Sequence, residues 1–558
     1  MFKKNLERHD NYIFNMYNTN LPEELLNKLE KSWSGTFYRE IFKNIDEKIF
    51  DPLYSERYSR PNFPINILIG LEIIKMKLNI SDEELLNQYH FNLQVRYALG
   101  LSDYSKYRLG LRTIYYFRKR LLEHEFRTDE NLLEKCFDKI NKHLIENYKI
   151  NTEKIKVDST LIGSNIKNMS RLELLLTVLK NYLKVAKNDK LIKEIELVEH
   201  YEKIDSKKYI FKLRKEEVEK ELKEIGILMY KLLNLHKGSE LSETEEYKLL
   251  SRVFKEHYIL NDNLIELNKD LKSTNLQSPY DAEATYRKKG NKESKGYSLN
   301  VCETVNKEEL NIITDIKLEE NVKSDGELLN ESVDKLEELG VKEIYADGGY
   351  DEKELKENLE KREIDLKLTG LKGRKRKKLS IEDFKIEDYE VIECPSGERP
   401  LFVKDKGEVV LNYFSHKSCE NCSLNNLCPV SKRKKYYVLK ISKNDINNER
   451  NKKLKYDYSK NVSMRASIEG TIFQFKRYCY NGKIRYRGKN RIRMSLYYIA
   501  FSINLSRICK YIDENNRNIL SNLLKQVNKS YFFNLFKSNF LILKHFFKFY
   551  SQFYYFCA

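Results

Sequence analysis

The sequence is poor in residues that break regular structure. Only 8 prolines and 20 glycines are spread over 558 residues. That excludes collagen-like and Pro-rich chains, and it excludes a loop-rich all-β fold, which needs more turn residues. Nine cysteines, an odd and sparse set, exclude a disulfide framework. The opening Met1-Phe2-Lys3-Lys4-Asn5 has no apolar core, so no signal peptide is expected and the chain reads as cytoplasmic and reducing. The last 28 residues carry 13 aromatics from Tyr531 to Phe556, but Lys537, Lys544 and Lys548 interrupt them. No charge-free run comes near the roughly 18 residues of a membrane span. This tail reads as a terminal helix packed on the body or on a second protomer, with no membrane partner.

Hydrophobic residues make up 41% and charged residues 33% of the chain, the balance of a soluble globular protein. At about 150 residues per domain, the length suggests roughly three to four domains. Lys and Arg number 102 against 84 Asp and Glu, a net charge of +18. An excess of this size points to a polyanionic partner. A Lys-rich composition imposed by an AT-rich genome accounts for the same number, so charge alone leaves both readings open.

The patterning divides the chain. Residues 1–150 read as helical, with an apolar helix over Ile65–Leu78 and a capping signal at Ser81 and Glu84. A basic helix follows over Arg112–Leu122, carrying Arg112, Arg118, Lys119 and Arg120 among aromatics, and it suits a DNA groove or a solvated bundle face. Ile155–Ile162 reads as a strand holding Asp158. A charged helical insertion occupies about 170–275. Strands are expected over Gly296–Thr304 and Leu310–Leu318, then a helix over Asp325–Leu339 closed by Gly340. A strand over Val341–Ala346, a helix over Glu352–Glu363 and a strand over Asp365–Leu368 complete the run. Three strands followed by strand–helix alternation predict a mixed α/β sheet. Residues 370–460 form a second, basic, Cys-containing insertion. Residues 461–510 return to helix, with an apolar stretch over Ile492–Ile508, and 511–558 form the tail.

The candidate chemistry starts in a helix expected from Ser463. At 100° per residue, Arg465, Glu469 and Lys476 fall within about 40° of one another, beside an apolar flank of Met464, Ile468, Ile472, Phe475 and Cys479. A carboxylate between two cations suits metal and phosphate binding. An ordinary i,i+4 Arg–Glu pair on a solvated face is the plain alternative. Asp158 in its strand and Asp347 after Val341–Ala346 would both be exposed by the inferred sheet, because ligands gather at the carboxyl ends of strands. Two glycines after Asp347 leave room for close approach. Converging carboxylates are the hard oxygen ligands that Mg²⁺ prefers, and two such ions serve phosphodiester chemistry.

On these residues the sequence resembles the DDE transposases of bacterial insertion sequences, in the branch marked by a Tyr–Arg–Glu–Lys signature. Three residues separate Arg465 from Glu469 and six separate Glu469 from Lys476, as in that signature, while the Tyr position is occupied by Val462. Asp158, and Asp347 within Ala346-Asp347-Gly348-Gly349-Tyr350, are similar to the family's two aspartates. Asp281-Ala282, Arg287 and Lys295-Gly296-Tyr297 resemble the approach to its second strand, and Leu109–Thr113 with Phe117-Arg118 resembles its N-terminal helical domain. The resemblance spans about residues 1–510. It implies an α/β, ribonuclease-H-like mixed-sheet catalytic core with an N-terminal helical DNA-binding domain and two insertions. It further implies two Mg²⁺ held by Asp158, Asp347 and Glu469, and phosphate handling by Arg465 and Lys476. The implied partners are double-stranded DNA, as terminal inverted repeats and target, and a second copy in a homodimer on nucleoid DNA.

Four cysteines stand apart. Cys394 precedes Pro395, Cys419 and Cys422 form a CxxC, and Cys428 precedes Pro429, a pattern that fits structural Zn²⁺ as well as it fits buried thiols. His416 is a spare ligand. Downstream, Arg485, Arg487, Lys489, Arg491 and Arg493 alternate with Tyr486 and Gly488, suiting DNA phosphates or a solvated loop. Two rival functions share these features: a metal-dependent nuclease without strand transfer, and an inactive, transposase-derived DNA-binding protein.

Overall fold

The computed structural model describes residues 1–530 except 56–59, 105–106, 262–263, 291, 308, 370–378, 380 and 444–463. The aromatic tail from Tyr531, the basic run Lys372–Lys378, Val462 and Ser463 lie outside the described residues.

An eight-stranded mixed sheet forms the centre. Its strands are β1 (Lys154–Gly163), β2 (Thr285–Lys289), β3 (Lys292–Thr304), β4 (Ile313–Glu320), β5 (Glu343–Ala346), β6 (Asp365–Leu368), β7 (Cys479–Tyr480) and β8 (Lys483–Ile484). β3 lies antiparallel to β1, and β4 antiparallel to β3; β5 pairs parallel with the other edge of β1, and β6 parallel with β5. Across the middle the order is β4–β3–β1–β5–β6. β8 joins β1 at Gly163, beyond the end of β5.

Period-two alternation sorts the two faces. Ile155 and Val157 of β1 pack with Ile344 and Ala346 of β5 against a helical layer that includes Leu329, Val333, Leu336, Leu355 and Leu359. The opposite face carries Lys156, Asp158, Thr160 and Ile162. It meets α4 (Ile468–Lys476) and, toward β3 and β4, α5 (Lys489–Ser530). The N-terminal helices share this second core: α1 (Ile65–Leu78) is buried from Ile65 to Met76, and α2 (Leu111–Thr128) inserts Ile114 and Phe117. On α5, Asn504 bonds both the N–H and the C=O of Ile313 (2.8 and 3.0 Å), covering the outer edge of β4.

Two segments have cores of their own. Helices Arg171–Val185, Lys215–Leu235 and Glu245–His257 bury Leu175, Leu179, Ile225, Met229 and Val253 together. Strands Phe402–Asp405, Val409–Ser415, Ser431–Lys432 and Tyr436–Ser442 form a four-stranded sheet over Phe384, Phe414 and Ile441. Among the described residues no helix is long and apolar enough to cross a membrane.

Several expected elements differ. The expected Asp325–Leu339 helix is two short helices, α3 (Asp325–Asn330) and Val333–Glu338. At the break Ser332 donates its hydroxyl to buried Asp315 (2.6 Å). The second strand begins four residues before Gly296 and makes a hairpin with β2, whose polar residues gave no apolar signal. Ile492–Ile508 lies in the first half of the much longer α5. The helix expected from Ser463 is interrupted by a turn at Ala466-Ser467 and resumes at Ile468, and Cys479 falls beyond it in β7.

Candidate active site

β1 and β5 build the site by register. Lys156 pairs with Tyr345, so two residues further on Asp158 and Asp347 come side by side on one face. β5 ends at Ala346, and Asp347 leaves the sheet, its carboxylate accepting the Gly349 N–H (2.7 Å). A Cβ at Gly349 would sit 2.7 Å from Asp347 Oδ1 and 2.8 Å from Asp325 Oδ2, so a side chain there would displace both carboxylates. Asp158 accepts the Ser159 N–H (2.9 Å). Burial pushes the Asp158 carboxyl above its ordinary pKa. The Arg465 cation and the Ser159 N–H pull it down, and Asp347 adds to the rise.

Arg465 reaches both carboxylates, 3.1 Å from Asp158 Oδ1 and 4.0 Å from Asp347 Oδ2. Its Nε–H is buried without a partner among the described residues, leaving a donor for an incoming anion. Glu469 and Lys476 lie on α4 and are exposed, as is Phe473 between them. The turn at Ala466-Ser467 therefore separates Arg465, facing the aspartates, from Glu469 on the outer edge of α4. Among the described residues, no three His, Cys, Asp or Glu stand close enough together to hold a metal ion. The chemistry of the pair nevertheless fits a hard divalent cation: two carboxylates converge, and a guanidinium stands where positive charge is needed. Glu469 would have to swing in to complete the set.

A further carboxylate escaped the sequence reading. Asp325, the first residue of α3, accepts the Ser159 hydroxyl (2.6 Å) from the opposite face of β1. Below it, fully buried Tyr350 donates to Asn300 (2.6 Å). Burial, then Asp325, Asp158, Cys302 and Asp347, push the Tyr350 hydroxyl well above its ordinary pKa. Only the capping pattern Ser324–Glu327 marks Asp325 in sequence.

The basic residues separate by environment. Arg485, Arg487 and Arg491 are exposed, with Arg487 over the Tyr280 ring, whereas Lys489 pairs with Glu319 and Arg493 with Glu125, each at 2.7 Å. Gly488 N–H donates to buried Asp281 (2.8 Å), which also accepts from Ser164 and Tyr297 and so ties this loop to β1 and β3. On α2, Arg112 is exposed and donates to Tyr116, and Arg120 is exposed over Tyr54. Arg118, expected on the DNA-facing surface, is instead turned inward onto Glu72 (2.7 Å) and Asp82 (2.6 Å) with 13% of its side chain exposed.

Cys394, Cys419, Cys422 and Cys428 form no disulfide and line one cavity of about 240 Å³, at one end of the four-stranded sheet. Burial and the three neighbouring thiols raise the Cys419 thiol to about 11. His416 faces Glu420 instead (3.4 Å).

Comparison with known proteins gives two family matches. A piggyBac transposase synaptic complex with hairpin DNA, solved by cryo-EM, aligns with 88% of this chain and 76% of its own. The identity is 12% and the TM-score 0.30. No curated protein matches the chain. Residues 393–509 match the transposase DDE domain family, and residues 26–120 match the transposase domain family DUF772. Two separate segments thus match transposase families, consistent with a DDE transposase of an insertion sequence.

Proposed function

We propose that the chain is a DNA transposase that binds the terminal inverted repeats of its own element, cuts the phosphodiester bond at their ends and joins the freed 3′-hydroxyl to target DNA. The observation that carries this reading is that one guanidinium, Arg465, reaches both Asp158 on β1 and Asp347 just past the end of β5. The strand order β4–β3–β1–β5–β6, with three antiparallel strands and two parallel ones, supports a ribonuclease-H-like core.

In this reading Asp158, Asp347 and, once swung in, Glu469 would hold two Mg²⁺, whose chemistry there would be to activate the attacking oxygen and stabilise the leaving one. Arg465 gives up the aspartates and turns its guanidinium to the phosphate. Lys476, on the exposed edge of α4, meets the same strand and offsets developing charge. Arg485, Arg487 and Arg491 hold flanking phosphates, and Arg112 and Arg120 extend the footprint along α2. Two copies act together on nucleoid DNA in the cytoplasm. The four thiols would hold a structural Zn²⁺, which would stabilise residues 390–430 and take no part in catalysis. The protein incubated with Mg²⁺, DNA bearing its element's terminal repeats and a target plasmid should yield strand-transfer products. Cleaved ends without joining would favour a nuclease, and binding without either would favour an inactive DNA-binding descendant.

A further inference from the structure

A buried ionic hub lies one step behind the paired aspartates. Glu303 of β3, with 4% of its side chain exposed, pairs with Lys156 of β1 (2.9 Å) and Arg507 of α5 (3.0 Å). It also accepts the Thr471 hydroxyl of α4, to which Arg507 donates as well (2.5 Å). Lys156 in turn donates to the Ser467 hydroxyl in the turn that precedes α4. Burial works to raise the Glu303 carboxyl, but Arg507 and Lys156 outweigh it and hold it below its ordinary pKa.

The placement matters more than the charge. Lys156 is two residues from Asp158 on the same face of β1. Thr471 is two residues from Glu469, and Ser467 two residues from Arg465. One carboxylate therefore joins the strand of the first aspartate to both ends of the segment carrying Arg465 and Glu469. The apolar contacts of Ile468, Ile472 and Phe475 attach α4 to the core, but apolar packing is non-directional and fixes register less tightly than hydrogen bonds do. Directional bonds to Thr471 and Ser467 fix that register.

We infer that Glu303 is a positioning residue, clamping α4 onto β1 so that the backbone carrying Arg465 and Glu469 is held in place beside Asp158 while their side chains remain able to turn. Its catalytic consequence rests on the transposase reading; the clamp itself does not.

The test compares Glu303→Gln, Thr471→Val and Thr471→Ser in the full chain, by hydrogen exchange and by single-turnover DNA cleavage with Mg²⁺. Thr471→Val and Glu303→Gln should speed exchange across 464–476 by about 10-fold or more while β1 and β3 stay protected, and Thr471→Ser should retain protection. Cleavage at saturating DNA should fall by up to about 100-fold with DNA affinity unchanged, the cost of a misplacement near 1 Å. If Glu303→Gln fails to fold, the Thr471 pair still decides. Exchange that is unchanged at 464–476, or that rises equally over the whole sheet, overturns the clamp. Wild-type protein that does not cleave DNA overturns the transposase reading and leaves the exchange result to judge the clamp.

Discussion

The Arg465 guanidinium stands 3.1 Å from the Asp158 carboxylate, on the spot where a divalent cation would need that oxygen. Cation and arginine therefore compete. Replacing Arg465 with Ala should lower the Mg²⁺ concentration giving half-maximal cleavage. It should also cut the maximal single-turnover rate by roughly 10²-fold, since a donor to the phosphate is lost. A Mg²⁺ titration of cleavage reads both effects. A rate loss with unchanged Mg²⁺ dependence would show that Arg465 does not shield the aspartates.

The downstream basic run divides into exposed and paired members, and the two sets should behave differently. Arg487→Ala and Arg491→Ala should each weaken DNA binding and flatten its log–log salt slope by about 0.9, one phosphate contact apiece. Arg493→Ala, which breaks the pair with Glu125, should lower thermal stability with little change in slope. Binding isotherms at several salt concentrations, with melting curves, check both. Equal slopes for all variants would count against the division.

Arg118 should act through stability. Arg118→Leu leaves Glu72 without its cation and Asp82 with Lys75 alone, and should cost about 3–5 kcal/mol. The loss has a pH signature. Burial tends to raise the Asp82 carboxyl, but hydrogen bonds and charge from Arg118 and Lys75 win and hold it well below the usual range. A depressed carboxylate adds stability above its unfolded pKa, near 4, and loses it as pH falls through the folded value. The stability gap between wild type and variant should be widest at pH 5–7 and shrink below about pH 4. A pH-independent gap would remove Asp82 from the account.

The thiol cavity makes a separate claim. Freshly purified, unchelated protein should carry about one zinc per chain, and Cys422→Ser should lose it together with the stability of residues 390–430. Metal analysis finding none would reduce the four cysteines to buried thiols.

Local periodicity made the central strands legible: β1 and β6 fall where apolar alternation puts them, and Gly340, at φ +72°, ends its helix as expected. Distant partners did not show. Lys156 and Glu303 look like surface charges in sequence because each is unremarkable until the other is 2.9 Å away across a strand pair. Asp325 looks like any acidic residue in a helix's first turn. Arg118 carries the same charge as Arg112 and Arg120, and only the fold turns it inward. The Arg465–Glu469–Lys476 spacing was visible, but the turn at Ser467 bonds Lys156, more than 300 positions earlier, and that contact has no local signal.

The central claim is that Asp158, Asp347 and Glu469 act together in Mg²⁺-dependent cleavage. The most direct measurement is single-turnover cleavage of terminal-repeat DNA by Asp158→Ala, Asp347→Ala and Glu469→Ala, beside binding of the same DNA. Losing a metal ligand disrupts the site but removes few DNA contacts, so each variant should bind nearly as wild type and give no detectable product. Substantial cleavage by any one of the three would contradict the account and remove that residue from the site.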